Sequence, residues 1–297
     1  MWLDVIRLIT WNVAGRSKRL PEQATAIAQR EPDIVALQEV TRRTRPLWDR
    51  AFELMGLTHV SASSIDSGMS GGAAGRRTVV MIGARAELEE VQNSLAVPRR
   101  ESALSVLVRF SSGPLEIHCV HVPNAANGWV KVETLQALRH GLEVPSLAPR
   151  VLCGDLNTPR RELPDGTTIS FARDSRGRLR PERGPEWDTA ELGIVPGLRE
   201  LGYRDAFRTC HGYASRSPSW TWKAIGGHDG GWRLDHTFLS AELVPLACQY
   251  HHQWREQGLS DHSALETDLE YRHGASGTSR SRAGVPIQCP VVPRRSS

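Results

Sequence analysis

Between about residues 5 and 270, short apolar runs rich in β-branched residues alternate with longer stretches whose apolar positions recur every three or four residues. The short runs predict strands over Val5–Trp11, Ile34–Gln38, Thr78–Ile82, Ser105–Phe110, Leu115–His121, Val151–Gly154, Asp235–Leu239 and Ala264–Leu269. The longer stretches predict helices over Pro21–Arg30, Arg43–Leu54, Val130–Val144 and Glu191–Leu201. Such alternation is the mark of an α/β fold. Only Ser111-Ser112-Gly113-Pro114 separates two of the strands, which predicts a hairpin, so the sheet is expected to be mixed and not simply doubly wound.

Two segments carry neither period. Ser61–Arg77, rich in Ser and Gly, predicts a flexible loop, and Arg160–Pro185 reads as a long Arg/Gly/Pro insertion. The insertion follows a polar strand end directly, which makes it a candidate for contacting substrate. From Gly274 onward the Ser/Arg/Gly/Pro composition describes a disordered tail, so the globular domain is expected at 1–272 and the tail at 273–297.

Composition narrows the picture without deciding it. Hydrophobic content of 39% and charged content of 24% describe a globular chain with ample core. No run approaches the ~20 apolar residues of a membrane span. Met1-Trp2-Leu3-Asp4 lacks the basic start and apolar stretch of a secretory signal, so the expected location is the cytoplasm, with no membrane partner. Five cysteines, an odd count without a CxxC, indicate neither a disulfide framework nor a zinc knuckle; Cys119 and Cys153, in apolar runs, are expected in the core. The net charge of +4 is carried almost wholly by arginine, with lysine only at 18, 131 and 223. Guanidinium forks suit phosphate, so the excess permits a nucleic-acid partner, although 33 acidic residues nearly balance it. No feature calls for an obligate protein partner.

The candidate chemistry lies at strand ends. Gly154-Asp155-Leu156-Asn157-Thr158-Pro159 follows Val151-Leu152-Cys153, and alternation places Asp155 and Asn157 on one face, where both can meet a phosphate, a metal or a water. Taken alone, the same residues also suit an ordinary turn. Other segments repeat the design: Thr10-Trp11-Asn12-Val13, Ala36-Leu37-Gln38-Glu39-Val40 and His121-Val122-Pro123-Asn124 each end an apolar run on a polar side chain. Further along come Ser219-Trp220-Thr221-Trp222, Gly231-Trp232-Arg233-Leu234-Asp235-His236 and Leu259-Ser260-Asp261-His262-Ser263. His262 and Asp235 are natural partners, because a carboxylate on one imidazole nitrogen fixes the tautomer and leaves the other nitrogen for water or phosphate. Carboxylates and amides without cysteine make a hard, oxygen-rich site suited to Mg²⁺ or Mn²⁺, which could polarise a phosphoryl oxygen.

In this order, Trp11-Asn12, Leu37-Gln38-Glu39-Val40, His121-Val122-Pro123-Asn124, Gly154-Asp155-Leu156-Asn157, Arg233-Leu234-Asp235 and Ser260-Asp261-His262 resemble the endonuclease/exonuclease/phosphatase superfamily. Gly202-Tyr203-Arg204-Asp205-Ala206-Phe207-Arg208 and the tryptophan segments are similar to the exonuclease III-type apurinic/apyrimidinic (AP) endonucleases. The resemblance implies a four-layered α/β sandwich, with two mixed β-sheets packed face to face and helices on the outside. It also implies a Mg²⁺- or Mn²⁺-dependent phosphodiester hydrolase acting on nucleic acid, DNA first. Glu39 would be the principal metal ligand, with Asn12 and Asp261 in or near the metal shell. Asn157 would orient the phosphate or nucleophile, while Asp155 would position or deprotonate the water. His262, held by Asp235, would contact the phosphate or share the base role, and His121 would donate to the phosphate. Trp222, Trp232, Asn124 and Arg233 are the expected substrate-binding residues, the tryptophans as walls against a flipped-out sugar. Three positions depart from the AP endonuclease pattern: Thr41 stands for a lysine, His121 for a tyrosine and Ala14 for a polar residue. The alternatives are a phosphodiesterase or phosphatase acting on a non-nucleic-acid phosphoester, and a catalytically weak nucleic-acid-binding relative.

Overall fold

The computed structural model describes residues 5–64, 78–92, 94–215, 219–222 and 231–272; residues 65–77 of the expected loop, and the expected tail, lie outside the described residues. One six-stranded sheet runs in the order β13 (Leu243–His251), β14 (Ala264–Tyr271), β1 (Ile6–Asn12), β2 (Ile34–Thr41), β4 (Thr78–Ala84), β3 (His59–Ala62). The other runs β11 (Arg204–Asp205), β12 (Asp235–Leu239), β8 (Arg150–Asp155), β7 (Gly113–His121), β6 (Ala103–Phe110), β5 (Leu88–Glu90). Each holds one parallel pair, β1/β2 and β7/β8, among antiparallel neighbours, so both sheets are mixed. A two-stranded hairpin, β9 (Arg161–Glu162) and β10 (Thr168–Ile169), stands apart.

The layers follow from which face each strand residue takes. Ile6 and Leu8 of β1 and Ile34 and Ala36 of β2 meet Ile117, Cys119, Val151 and Cys153 in one buried cluster between the sheets. The alternate residues Ile9, Trp11, Val35 and Leu37 face outward, against helices α1 (Leu20–Ala28) and α2 (Arg45–Leu54). Helices α3 (Trp129–Glu143) and α4 (Gly184–Ile194) cover the other sheet through Leu135, Leu138, Leu152, Trp187 and Ile194. Strands apolar on both faces are what a sheet covered on both sides requires. Short helices α5 (Ala206–His211) and α6 (His252–Glu256) complete the four-layered sandwich. Among the described residues, no helix is long and apolar enough to cross a membrane.

The expected strands and the hairpin are present, with ends moved by at most three residues. The helix expected over Glu191–Leu201 is corrected: α4 runs from Gly184 to Ile194, Pro196 intervenes, and Gly197–Leu201 is a 3-10 turn. Proline has no N–H to give and its ring crowds the preceding turn, so the amphipathic pattern crosses a boundary the backbone cannot. The Arg160–Pro185 insertion is more regular than expected, for it contains the β9–β10 hairpin and an antiparallel bridge between Arg173 and Leu179.

The alternation that buries Ile6 and Leu8 between the sheets carries Asn12 to the same side at the end of β1. In β8 the alternation of Val151 and Cys153 does the same for Asp155. The registers His121↔Asp155 and Asp235↔Asp155 then place three ionisable residues side by side across the second sheet. Gly154 makes that approach feasible: its φ is +128°, and a Cβ there would lie 2.1 Å from the Val120 carbonyl oxygen. Gly154→Ala is expected to cost on the order of 3 kcal/mol through overpacking. Gly202→Ala, at φ +84° with open space around it, should cost only about 1 kcal/mol for the left-handed backbone. Urea unfolding of the two variants checks this, and equal losses would contradict the close approach.

Candidate active site

Among the described residues, three of the four non-glycine residues with positive φ sit at the site: Ala14 at +53° just past β1, Glu39 at +59° within β2 and Asn157 at +49° just past β8. Side chains are sparse in that region, so local contacts must hold them there. Glu39 lies in the register shift between Leu37 and Val40, where β2 slips against β4, and such a bulge re-aims a side chain. Asn157 is held by its own N–H on Asp155 Oδ1 at 3.0 Å and by its Nδ2 on the Val122 carbonyl at 2.8 Å.

The charged groups converge around Asn12. Its Nδ2 donates to Glu39 Oε1 at 3.0 Å and to Asp155 Oδ2 at 3.1 Å, while its Oδ1 accepts from the Ala14 N–H at 3.0 Å. The amino side of the amide therefore faces the two carboxylates. His121 Nε2 lies 3.7 Å from Glu39 Oε1 and 3.8 Å from Asp155 Oδ2. His262 Nδ1 is 2.8 Å from Asp235 Oδ2, with Nε2 3.8 Å from Asp155 Oδ2. The segment bearing His262 is tied to β1: Trp11 Nε1 donates to the His262 carbonyl at 2.9 Å and Ser260 Oγ to the Asn12 carbonyl at 2.6 Å.

Burial alone would push the His262 imidazole down, but Asp235 and Asp155 more than offset it and raise it to about 10. Burial pushes the Asp155 carboxyl up, against the pull of His262 and with Asp235 adding to the rise. A carboxylate that holds its proton more readily than usual is better matched to accepting one from water.

These groups open into a cavity of about 480 Å³ lined by Glu39, His121, Asp155, Asn157, Asp261 and His262. Trp222 and Trp232 form part of its wall, their rings stacked at 4.9 Å and 2°, and Phe171 meets Trp232 edge-on at 5.2 Å. Asn124 also lines it, its side chain accepting from the Ala126 N–H at 3.1 Å. Asp235 stands behind His262. Arg233 does not line this cavity; its guanidinium is buried on Glu162, at 2.6 and 2.7 Å, and on Asp205 at 2.7 Å.

Two places could hold a cation. Asp155, Asp235 and His262 each offer a ligand atom within 4.8 Å of the others, but His262 Nδ1 is engaged by Asp235 and the Asp155 oxygens by Asn12 and Asn157. Glu39 and Asp261 instead present half-buried carboxylates to the cavity, whose lining contains no thiol. Such hard oxygen donors beside open space fit Mg²⁺ or Mn²⁺.

Three supporting residues were not visible from motif spacing. Thr221 Oγ1 accepts from the Leu234 and Asp235 N–H groups at 2.9 and 3.2 Å, and the Thr221 carbonyl accepts from Ser263 N–H at 2.8 Å, joining the two C-terminal motifs. Lys131, fully buried, donates to the Asn157 carbonyl at 2.8 Å and to Glu191 Oε1 at 2.6 Å. Glu191 Oε2 accepts from Thr158 Oγ1 at 3.0 Å and from the Phe171 N–H at 2.6 Å, so this ion pair fastens the turn after β8 to the insertion. A signal for it did exist: Lys131 falls in helical register with the apolar stripe Leu135, Leu138, Leu142.

The endonuclease/exonuclease/phosphatase family profile matches residues 9–262. The DNA repair nuclease APEX1 of Danio rerio is 32% identical over 136 residues, 43% of this chain and 40% of that protein, so the match spans about two fifths of the relative's length. An AP endonuclease from Archaeoglobus fulgidus superposes with a TM-score of 0.64 at 21% identity, covering 88% of this chain and 98% of that one. The 3′ phosphatase NExo from Neisseria, bound to a product DNA hairpin, superposes with 0.61 at 20% identity, covering 90% and 100%. At these identities the superpositions establish the shared fold.

Lys131→Met leaves the Glu191 carboxylate buried without its cation, and is expected to cost about 3–5 kcal/mol by urea unfolding. A loss under about 1 kcal/mol would contradict the role given to this pair.

Proposed function

The chain belongs to the endonuclease/exonuclease/phosphatase family, whose members hydrolyse phosphoester bonds, and from that premise we propose that it is a divalent-metal-dependent phosphodiesterase that cuts the DNA backbone by in-line attack of water. The observation that carries the proposal is the convergence of Glu39, Asp261, Asp155, Asn157 and the Asp235-backed His262 on one cavity. A Mg²⁺ or Mn²⁺ ion held by Glu39 and Asp261 would offset the charge on a phosphoryl oxygen. Asp155, braced by Asn12 and by the Asn157 N–H, takes a proton as the water oxygen bonds to phosphorus. The bond from phosphorus to the leaving oxygen breaks, and that oxygen is protonated by solvent. His262, with Nδ1 fixed by Asp235, presents Nε2 to a phosphoryl oxygen, and His121 Nε2 lies 3.8 Å from the same Asp155 Oδ2 that His262 Nε2 approaches. Asn12 acts through its amino group, spacing Glu39 from Asp155.

DNA as substrate is supported by the relatives: one is named a DNA repair nuclease, one an AP endonuclease, and one is bound to a DNA product. The wall of Trp222, Trp232 and Phe171 suits a flipped-out sugar, which favours AP-site DNA among the candidates. Ala14, Thr41 and His121 set this chain apart from the AP endonuclease pattern, so undamaged and 3′-blocked DNA belong in the same test.

End-labelled duplexes that are undamaged, contain an AP site or carry a 3′ block should separate endonuclease, exonuclease and end-processing activities. Cleavage of at least one is expected in Mg²⁺ and not in EDTA. Asp155→Asn and His262→Ala should each lower kcat by roughly 10²–10⁴, and Glu39→Gln should raise the Mg²⁺ concentration required. Wild-type rates in Asp155→Asn and His262→Ala, or turnover confined to non-nucleic-acid phosphoesters, would overturn the proposal.

A further inference from the structure

We propose that the insertion after β8 builds a second phosphate-binding subsite in the catalytic cavity, selecting nucleotide substrates that carry another phosphate beside the scissile one. The inference rests on the phosphodiesterase reading and narrows its substrate class. Residues 160–183 hold seven arginines against four acidic residues. Three of them, Arg160, Arg180 and Arg183, line the same cavity as the carboxylates of Glu39, Asp155 and Asp261.

The acids of the insertion are committed elsewhere. Glu162 is shared by Arg208 at 2.8 Å and Arg233 at 2.6 Å, Asp174 pairs with Arg178 at 2.9 Å, and Asp165 accepts from the Thr167 N–H at 2.8 Å. Glu182, exposed, comes only within 3.8 Å of Arg180. The half-buried Arg160 side chain has no hydrogen bond or ion pair among the described residues. The scissile phosphate already has His262, His121 and the proposed cation, so three guanidiniums exceed what one phosphate needs.

The wall is anchored. Arg183 donates to the Phe171 carbonyl and lies 5.0 Å over the Trp187 ring, while the Arg180 N–H donates to the Ala172 carbonyl at 2.9 Å. Phe171 is in turn fixed by Glu191, the carboxylate paired with the lysine that grips the Asn157 carbonyl. The subsite and the catalytic turn thus share one buried anchor. A guanidinium presents paired donors that match two phosphate oxygens, a geometry suited to a second dianion or phosphodiester. At about 480 Å³ the cavity lies within the range of small-ligand sites, roughly 300–1,000 Å³.

A strand end and the backbone are the two sources of a second phosphate, and four probes separate them: a thymidine dinucleotide, the same with a 5′-terminal phosphate, the same with a 3′-terminal phosphate, and the trinucleotide. Both kcat/KM in Mg²⁺ and binding in EDTA, read by tryptophan fluorescence, are measured for the wild type and for Arg160→Ala, Arg160→Lys and Arg160→Ala/Arg180→Ala. Among the described residues Arg160 has no hydrogen-bond or ion-pair partner to lose, so its variants keep the test clear of misfolding. The wild type should favour at least one phosphate-bearing probe tenfold or more over the plain dinucleotide. That ratio should fall to near one in the double variant, fall partway in Arg160→Ala and be largely retained in Arg160→Lys. A gain confined to the trinucleotide assigns the subsite to a backbone phosphate, and a gain with a terminal phosphate assigns it to a strand end. No preference in the wild type, or a preference unchanged in the double variant, would overturn the subsite. A binding preference lost in the double variant while no nucleic acid is ever cleaved would leave the subsite standing and overturn the DNA-cleaving reading alone.

Discussion

The Asn12 amino group donates one hydrogen bond to Glu39, on the neighbouring strand, and one to Asp155, on the facing sheet, and the spacing of the site depends on that fork. Glu39 reaches it from a parallel strand of the same sheet, whereas Asp155 arrives only if the two sheets pack at the right separation and register. The inter-sheet core of Ile6, Leu8, Ile34, Ile117, Val151 and Cys153 sets that separation. A one-residue slip of β1 would turn Asn12 toward the helices and leave two carboxylates facing each other without a donor between them. Core packing and chemistry are therefore coupled through a single side-chain alternation.

Charge is divided on the two sides of that fork. On one side, Glu39 and Asp261 keep carboxylates open to the cavity; on the other, Asp235 is buried behind His262, and Asp155 is braced by backbone and amide donors. The first side suits a hard cation, the second a water and a phosphoryl oxygen. Left-handed backbone at Glu39 and Asn157 aims one residue into each half, at a conformational cost that the surrounding hydrogen bonds must offset. The Lys131–Glu191 pair extends this bracing into the insertion, so the arginine-bearing wall is tied to the turn after β8.

Much of this was legible in the residues. Strands with β-branched runs stood out because burial on both faces demands them, and polar residues at their ends were conspicuous because packing does not need them there. The nine-residue strand Leu243–His251 escaped because Pro245 and the bulge beside it break its apolar period. Helix α4 was displaced because amphipathic spacing continues past Pro196 while the hydrogen-bond ladder does not. Within the site, the residues of the motifs were identifiable, but the orientation of Asn12 was not. Whether its carbonyl or its amino group faces the carboxylates depends on the Ala14 N–H, a backbone donor that no spacing reveals. The buried setting of Arg233 was equally hidden, since Glu162 and Asp205 come from distant segments.

Anomalous diffraction from crystals soaked in Mn²⁺ tests the division of charge most directly, because it locates the ion without reference to activity. The expected peak lies within coordination distance of the Glu39 and Asp261 carboxylates. A peak seated instead among Asp155, Asp235 and His262, or none at saturating Mn²⁺, would contradict it.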